Sequence, residues 1–259
     1  MKYILETLKQ SKFEVFGTEV EFGKNGKYKP IILELDNGKK VELTGKIDRI
    51  DIGKDTTGKY LRIIDYKSSA KNIELDEVYA GLQLQLLTYL DASCKIEDLM
   101  PAGILYFGLI EQMIKANKNM TEEEIEAKIK SNFKMKGLIL ADVNVIKMHD
   151  KNLTDGQESK ILQANIDKEG NVGAKTKAVS KYQFEDLQKY INKTLKQISK
   201  EILSGRIDIK PAYRMNKPTP CSYCSYNQIC GFNSGICKKK YNYIEKLSKE
   251  EVLDLIKER

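Results

Sequence analysis

Two aspartates and a lysine carry the clearest chemistry in this chain. Asp48 lies in G-K-I-D-R-I-D, and Asp65 and Lys67 lie in Y-L-R-I-I-D-Y-K-S-S. Both stretches read as strands. With a side-chain period of two, Leu61, Ile63, Asp65 and Lys67 share one face of the second strand, and Arg62, Ile64 and Tyr66 share the other. Asp65 and Lys67 then stand about 7 Å apart at Cα, at the end of an apolar strand. A turn over 53–59 makes a hairpin that lays Asp48 alongside. Two carboxylates and a lysine at a strand edge suit cleavage of a phosphodiester. Carboxylates and water are the ligands that Mg²⁺ takes, and Mn²⁺ accepts the same set. Such an ion polarises a phosphoryl oxygen and lowers the pKa of the attacking water. The ammonium orients that water or offsets developing charge. Asp-x-Lys alone is a weak signal, because an exposed strand also carries such a pair as a salt bridge. Asp48 strengthens it: an acid among Ile47, Ile50 and Ile52 is costly without a partner or a metal.

A helix predicted over 75–93 follows directly. Val78, Leu82, Leu86 and Leu90 form its apolar face, and Gly81, Gln85 and Tyr89 make a neighbouring stripe. Gln85 and Tyr89 either edge the core or reach a DNA backbone and the attacking water. Gln83 falls on another face and reads as solvent-facing. A third group is Cys221, Cys224 and Cys230, spaced C-x2-C-x5-C. Thiolates so spaced in one loop can converge on a soft metal centre, with zinc favoured from the residues alone. Cys94 and Cys237 lie outside the pattern. Five cysteines, an odd number, argue against a disulfide framework.

The whole chain sets bounds on these readings. Its 259 residues suffice for a sizeable core, and 41% hydrophobic with 31% charged residues is ordinary for a globular protein. No apolar run reaches membrane-spanning length and no signal peptide opens the sequence, which makes the cytoplasm the default location and excludes a membrane partner. A net charge of +7 suits an anionic partner. One histidine and no tryptophan leave almost no material for histidine-based catalysis.

The remaining elements must position those residues. The first twelve residues read as the tail of a helix and 13–22 as a strand. Asn37-Gly38, between two alternating stretches, predicts a type I′ hairpin. The apolar run 102–110 after Pro101 predicts a central strand buried on both faces, parallel to the Asp65 strand. Thr121 with Glu124 and Ser180 with Gln183 are capping boxes. The first opens a helix that buries Ile125, Ile129 and Phe133. The second opens a helix to about Leu203 that buries Phe184, Leu187, Ile191, Leu195, Ile198 and Ile202, and Gly205 stops it. Its lysines read as a solvated face. Residues 152–179 give only short strands and glycine turns, and His149 is assigned no role.

G-K-I-D-R, I-I-D-Y-K-S-S, G-L-Q-L-Q-L-L-T-Y-L-D, F-K-M-K-G-L-I-L-A-D and C-S-Y-C-S-Y-N-Q-I-C together resemble the PD-(D/E)xK nucleases of the RecB type, and most closely the C-terminal nuclease domains of AddB subunits of AddAB helicase–nucleases. The resemblance implies an α/β fold with a restriction-endonuclease-like mixed central sheet flanked by helices, and a C-terminal cysteine-rich loop. It implies a nuclease domain over 1–217 and an iron–sulfur tail over 218–259 packed on it. It implies DNA as substrate, Asp48, Asp65 and the carbonyl of Tyr66 as ligands of Mg²⁺ or Mn²⁺, and Lys67, Gln85 and Tyr89 as catalytic groups. It implies an AddA-type partner and an upstream remainder of the same chain. In such nucleases a cysteine triplet like Cys221, Cys224 and Cys230 joins one distant upstream cysteine to hold a 4Fe-4S cluster. None stands before the nuclease motifs here, so the cluster is expected to be incomplete or absent without a longer chain. A stand-alone CRISPR-associated iron–sulfur nuclease and a catalytically silent DNA-binding module are the alternatives.

Overall fold

The computed structural model describes residues 2–69, 71–109, 120–232, 235–236 and 240–258. Ile110, the last residue of the central apolar run, and Cys237 lie outside them.

A six-stranded mixed sheet organises the chain. Helix α1 (Lys2–Gln10) leads into β1 (Glu14–Phe22). A small hairpin of β2 (Ile31–Glu34) and β3 (Lys40–Leu43) precedes β4 (Gly45–Lys54) and β5 (Lys59–Lys67). Helices α2 (Leu75–Tyr79) and α3 (Gln85–Glu97) cross to β6 (Met100–Gly108). Then follow α4 (Glu122–Asn132), β7 (Lys136–Leu140), α5 (Val143–His149), β8 (Ala178–Val179) and α6 (Lys181–Leu203). The strand order is β1-β4-β5-β6-β7-β8. β5–β6 and β7–β8 are parallel, and the other pairs are antiparallel. This is the mixed α/β sheet that the motifs imply.

Alternation decides what each strand buries. Leu61 and Ile63 of β5, Ile104 of β6 and Leu138 of β7 enter one core layer with Val78, Leu86, Leu90, Phe184 and Leu187. Ile64, Leu105 and Ile139, one position on, enter the opposite layer with Met135, Ile146 and Leu162. The central strands are therefore apolar on both faces, as continuous runs require. β7 approaches β6 so closely that a Cβ on Gly137 would lie 1.9 Å from the Ile104 carbonyl oxygen, so only glycine fits.

Several local expectations need correction. The helix expected over 75–93 is broken between Tyr79 and Gln85, where Gly81 and Gln83 take positive φ of 84° and 51°. Leu82 is consequently exposed while Val78, Leu86 and Leu90 remain buried. Gln83 does not face solvent freely: its amide donates to Glu77, and its Oε1 accepts the Glu74 N–H at 3.3 Å. The hairpin turn is not type I′. Only Gly38 has positive φ, at 77°, and its N–H reaches the Leu35 carbonyl at 2.9 Å. That is a type I turn closed by a left-handed glycine, the usual three-residue hairpin loop. Both capping boxes form. Yet α4 buries no residue fully, because it packs at the periphery, where Phe133 stacks on Tyr3 at 4.4 Å. The buried stripe of α6 stops early: Ile198 and Ile202 are exposed, the latter by 70%.

The final segment pairs β9 (Ala212–Tyr213) with β10 (Asn242–Tyr243) and places α7 (Asn227–Cys230) between them. Helix α8 (Lys249–Lys257) then returns Val252, Leu253 and Ile256 to the main core. Among the described residues no helix is long and apolar enough to cross a membrane.

Candidate active site

The β4–β5 ladder runs from Lys54↔Lys59 to Arg49↔Ile64. One further step in this register sets Asp48 across from Asp65. There the strands part, and the Asp48 carboxylate replaces the missing ladder partner, its Oδ2 accepting the Tyr66 N–H at 2.9 Å. Asp48 is thus oriented by main chain, which fixes it without a counter-charge. Of Tyr66, the backbone joins this arrangement. The phenol lies toward the other layer, where it accepts from Arg49 Nη1 at 3.3 Å and meets the Phe107 ring edge-on.

Asp65 is only 7% exposed. Lys67 Nζ stands 2.6 Å from its Oδ2, as the period-two reading of β5 anticipates. The same Oδ2 is shut from solvent and accepts no well-aligned hydrogen bond, so the contact is one of charge. Burial pushes the Asp65 carboxyl above the usual carboxylate range, Lys67 opposes this, and nearby Asp48 adds to the upward push. A buried, incompletely satisfied carboxylate beside a second one is a site that a divalent cation would relieve. Among the described residues no three His, Cys, Asp or Glu side chains are grouped to hold a metal ion. The donors here are two carboxylates, which suits Mg²⁺, an ion that takes one or two carboxylates and keeps several waters.

Gln85 opens α3 and donates from Nε2 to the Tyr89 hydroxyl at 3.3 Å. The two line a cavity of about 180 Å³ with Phe22, Ile31 and Leu195. Tyr89 stacks on Phe22, and its hydroxyl occupies the space that a Cβ on Gly45 would need. None of the hydrogen bonds or ion pairs of the described residues joins Gln85 or Tyr89 to Asp48, Asp65 or Lys67. A larger cavity of about 580 Å³, lined by Tyr3, Phe133 and Ile161, contains none of the predicted residues.

Cys221 is half-buried, and Cys224 and Cys230 are exposed. They share one loop but, as placed, do not form a group that could hold a metal, so the described cysteines alone do not fit a cluster. Cys94 is buried in α3, and burial pushes its thiol up to about 12, far from a ligating thiolate.

Two sets of residues escaped the sequence reading. The first is a buried ionic chain. Asp51 accepts from Arg49 at 2.6 and 2.7 Å and from Arg62 at 2.9 Å. Arg62 also meets His149 Nδ1 at 3.1 Å, and His149 is fully buried. The second is Tyr106, which the β5–β6 register places beside Asp65, together with Lys71 over its ring. Only the alternation of β6 hinted at Tyr106, and its neighbour depends on a pairing that sequence does not specify.

Comparison with known proteins gives the family of the chain. The chain is 41% identical over 98% of its length to the B-type subunit of the ATP-dependent helicase/deoxyribonuclease of Acetivibrio thermocellus, and 43% identical over 98% to that of Clostridioides difficile. It spans about 22% of the length of these curated relatives. The model of the PD-(D/E)XK nuclease superfamily matches residues 1–231, most of the chain, and the chain belongs to that superfamily.

Proposed function

We propose that this chain is a deoxyribonuclease dependent on Mg²⁺ or Mn²⁺ that hydrolyses single-stranded DNA as an exonuclease with 5′ to 3′ polarity. In this reading it is the nuclease module of an AddB-type subunit, working in the cytoplasm beside an AddA-type partner in recombinational repair of double-strand breaks. The observation that carries the chemistry is the convergence of Asp48, Asp65 and Lys67 at the parting of β4 and β5. The relatives' shared description as helicase/deoxyribonuclease subunits supports the wider setting.

Asp48 and Asp65, with the Tyr66 carbonyl, would hold the ion, which supplies phosphoryl polarisation and a more acidic water. Asp48 arrives pre-oriented by the Tyr66 N–H, so binding costs it little reorganisation. Asp65 works ionised, its charge shared with Lys67. The Lys67 side chain is 30% exposed, so its ammonium can reach beyond Asp65 toward the attacking water and the phosphoryl oxygens. Gln85 and Tyr89 assist from the start of α3. The nuclease body spans 1–217, and the tail 218–259 carries the 4Fe-4S cluster only where a further thiolate joins Cys221, Cys224 and Cys230. No step of the reaction runs through iron.

End-labelled single-stranded DNA tests the proposal. With Mg²⁺, a 5′ label should appear at once as very short products while a 3′ label shortens gradually, and EDTA should stop both. No cleavage in Mg²⁺ or Mn²⁺ would overturn the nuclease reading, and the reversed label pattern would overturn the polarity.

A further inference from the structure

Two ammonium groups lie over one tyrosine ring beside the carboxylate pair. Lys67 Nζ is 5.8 Å and Lys71 Nζ 5.2 Å from the Tyr106 ring centroid. Tyr106 is 5% exposed and sits across from Asp65 in the parallel β5–β6 register, so its ring forms a wall of the site. The two lysines are balanced differently. Lys67 contacts Asp65 at 2.6 Å, whereas Lys71 is exposed and has no carboxylate at ion-pair distance among the described residues. Glu77, the other acid whose charge Tyr106 feels, is already taken by Arg214 at 2.7 Å and Lys217 at 2.6 Å. A ring face holds a cation without neutralising it. Lys71 is therefore a positioned, uncompensated positive charge at the mouth of the site.

We propose that Lys71, seated on the Tyr106 ring, binds a backbone phosphate of the DNA strand adjacent to the one being cut. This rests on the nuclease reading and assigns Lys71 to substrate binding and Tyr106 to positioning it. An interaction made equally before and during the reaction changes KM and leaves kcat alone.

The test is binding of a fluorescent single-stranded oligonucleotide, with Ca²⁺ in place of Mg²⁺, over a NaCl series. Lys71→Ala should weaken binding about fivefold and flatten the slope of log K against log salt by about 0.7, one phosphate contact on a single strand. Lys71→Arg, which also stacks on aromatic rings, should restore the slope. Tyr106→Leu should weaken binding similarly, with the double variant no worse than either single one. In Mg²⁺, KM should rise in Lys71→Ala with kcat unchanged. Unaltered affinity and slope in Lys71→Ala would overturn the proposal, whether or not Tyr106→Leu folds. Lysine-dependent binding without cleavage in Mg²⁺ would instead contradict only the nuclease reading.

Discussion

Asp65 is a residue the fold would be more stable without. Burial holds its carboxyl above the usual range despite Lys67, while the unfolded chain ionises normally. Between the unfolded and the folded pKa the unfolded state gives up its proton first, so stability is lost as pH rises through that window and stays lowered above it. Metal-free Asp65→Asn should therefore melt higher than the wild type at pH 7, with the advantage shrinking as pH falls toward about 4. Thermal denaturation in EDTA reads this directly, and an equal or lower melting temperature would argue against the strained-carboxylate account. Asp65 and Lys67 were legible because strand alternation puts them on one face, and Asp48 because a short hairpin lays its strand alongside. Tyr106 was not, because its place beside Asp65 arises from the β5–β6 pairing, and Lys71 was not, because it follows β5 in a segment without strand or helix periodicity.

At the scale of elements, what was readable was whatever local chemistry decides. The capping boxes at Thr121 and Ser180, the stop at Gly205 and the doubly buried β6 all follow from a few adjacent residues. What misled was periodicity carried across a breaker. The apolar face through Val78, Leu82, Leu86 and Leu90 continues in sequence, but Gly81 and Gln83 turn the chain and re-aim α3, so Gln85 opens a helix. Likewise Ile198 and Ile202 keep the helical spacing of α6 after the core beneath it has ended. The tightest constraint between elements is Gly137. Gly137→Ala forces a methyl against the Ile104 carbonyl, and β6 and β7 must separate to admit it. Its expected cost is about 2–4 kcal/mol, measured as a lower urea midpoint with unchanged slope. A neutral substitution would show that the two strands are less closely apposed than described.

For the whole molecule, the Arg49–Asp51–Arg62–His149 chain is the main charged feature of the interior. It runs from the His149 ring, at the end of α5, through β5 and β4 to the Tyr66 phenol, next to the strand end that bears the site. Burial brings the Arg62 guanidinium down to about 10, still a cation at neutral pH. Burial, aided by Arg62, holds His149 well below its ordinary value, so it stays neutral in the fold. Below about pH 6.5 the unfolded chain takes up a proton that the folded chain refuses, and stability falls with pH at up to about 1.4 kcal/mol per unit. His149 is the only histidine, and Asp65→Asn removes the opposing contribution of the raised Asp65 carboxyl, so in that background the slope reports His149. Urea unfolding between pH 7.5 and 5.5 should show it, and a flat profile would mean His149 ionises inside the fold.

The central claim is that Asp48, Asp65 and Lys67 together hydrolyse DNA. The most direct measurement is the single-turnover rate of single-stranded DNA cleavage at saturating Mg²⁺, for the wild type, Asp65→Ala and Lys67→Ala, with folding checked by circular dichroism and DNA affinity measured in Ca²⁺. Loss of the acid or the ammonium removes charge stabilisation at the reacting phosphate, and each variant should cut at least about 10²-fold more slowly while remaining folded and binding DNA nearly as well. Wild-type rates in a folded Asp65→Ala or Lys67→Ala variant would contradict the account.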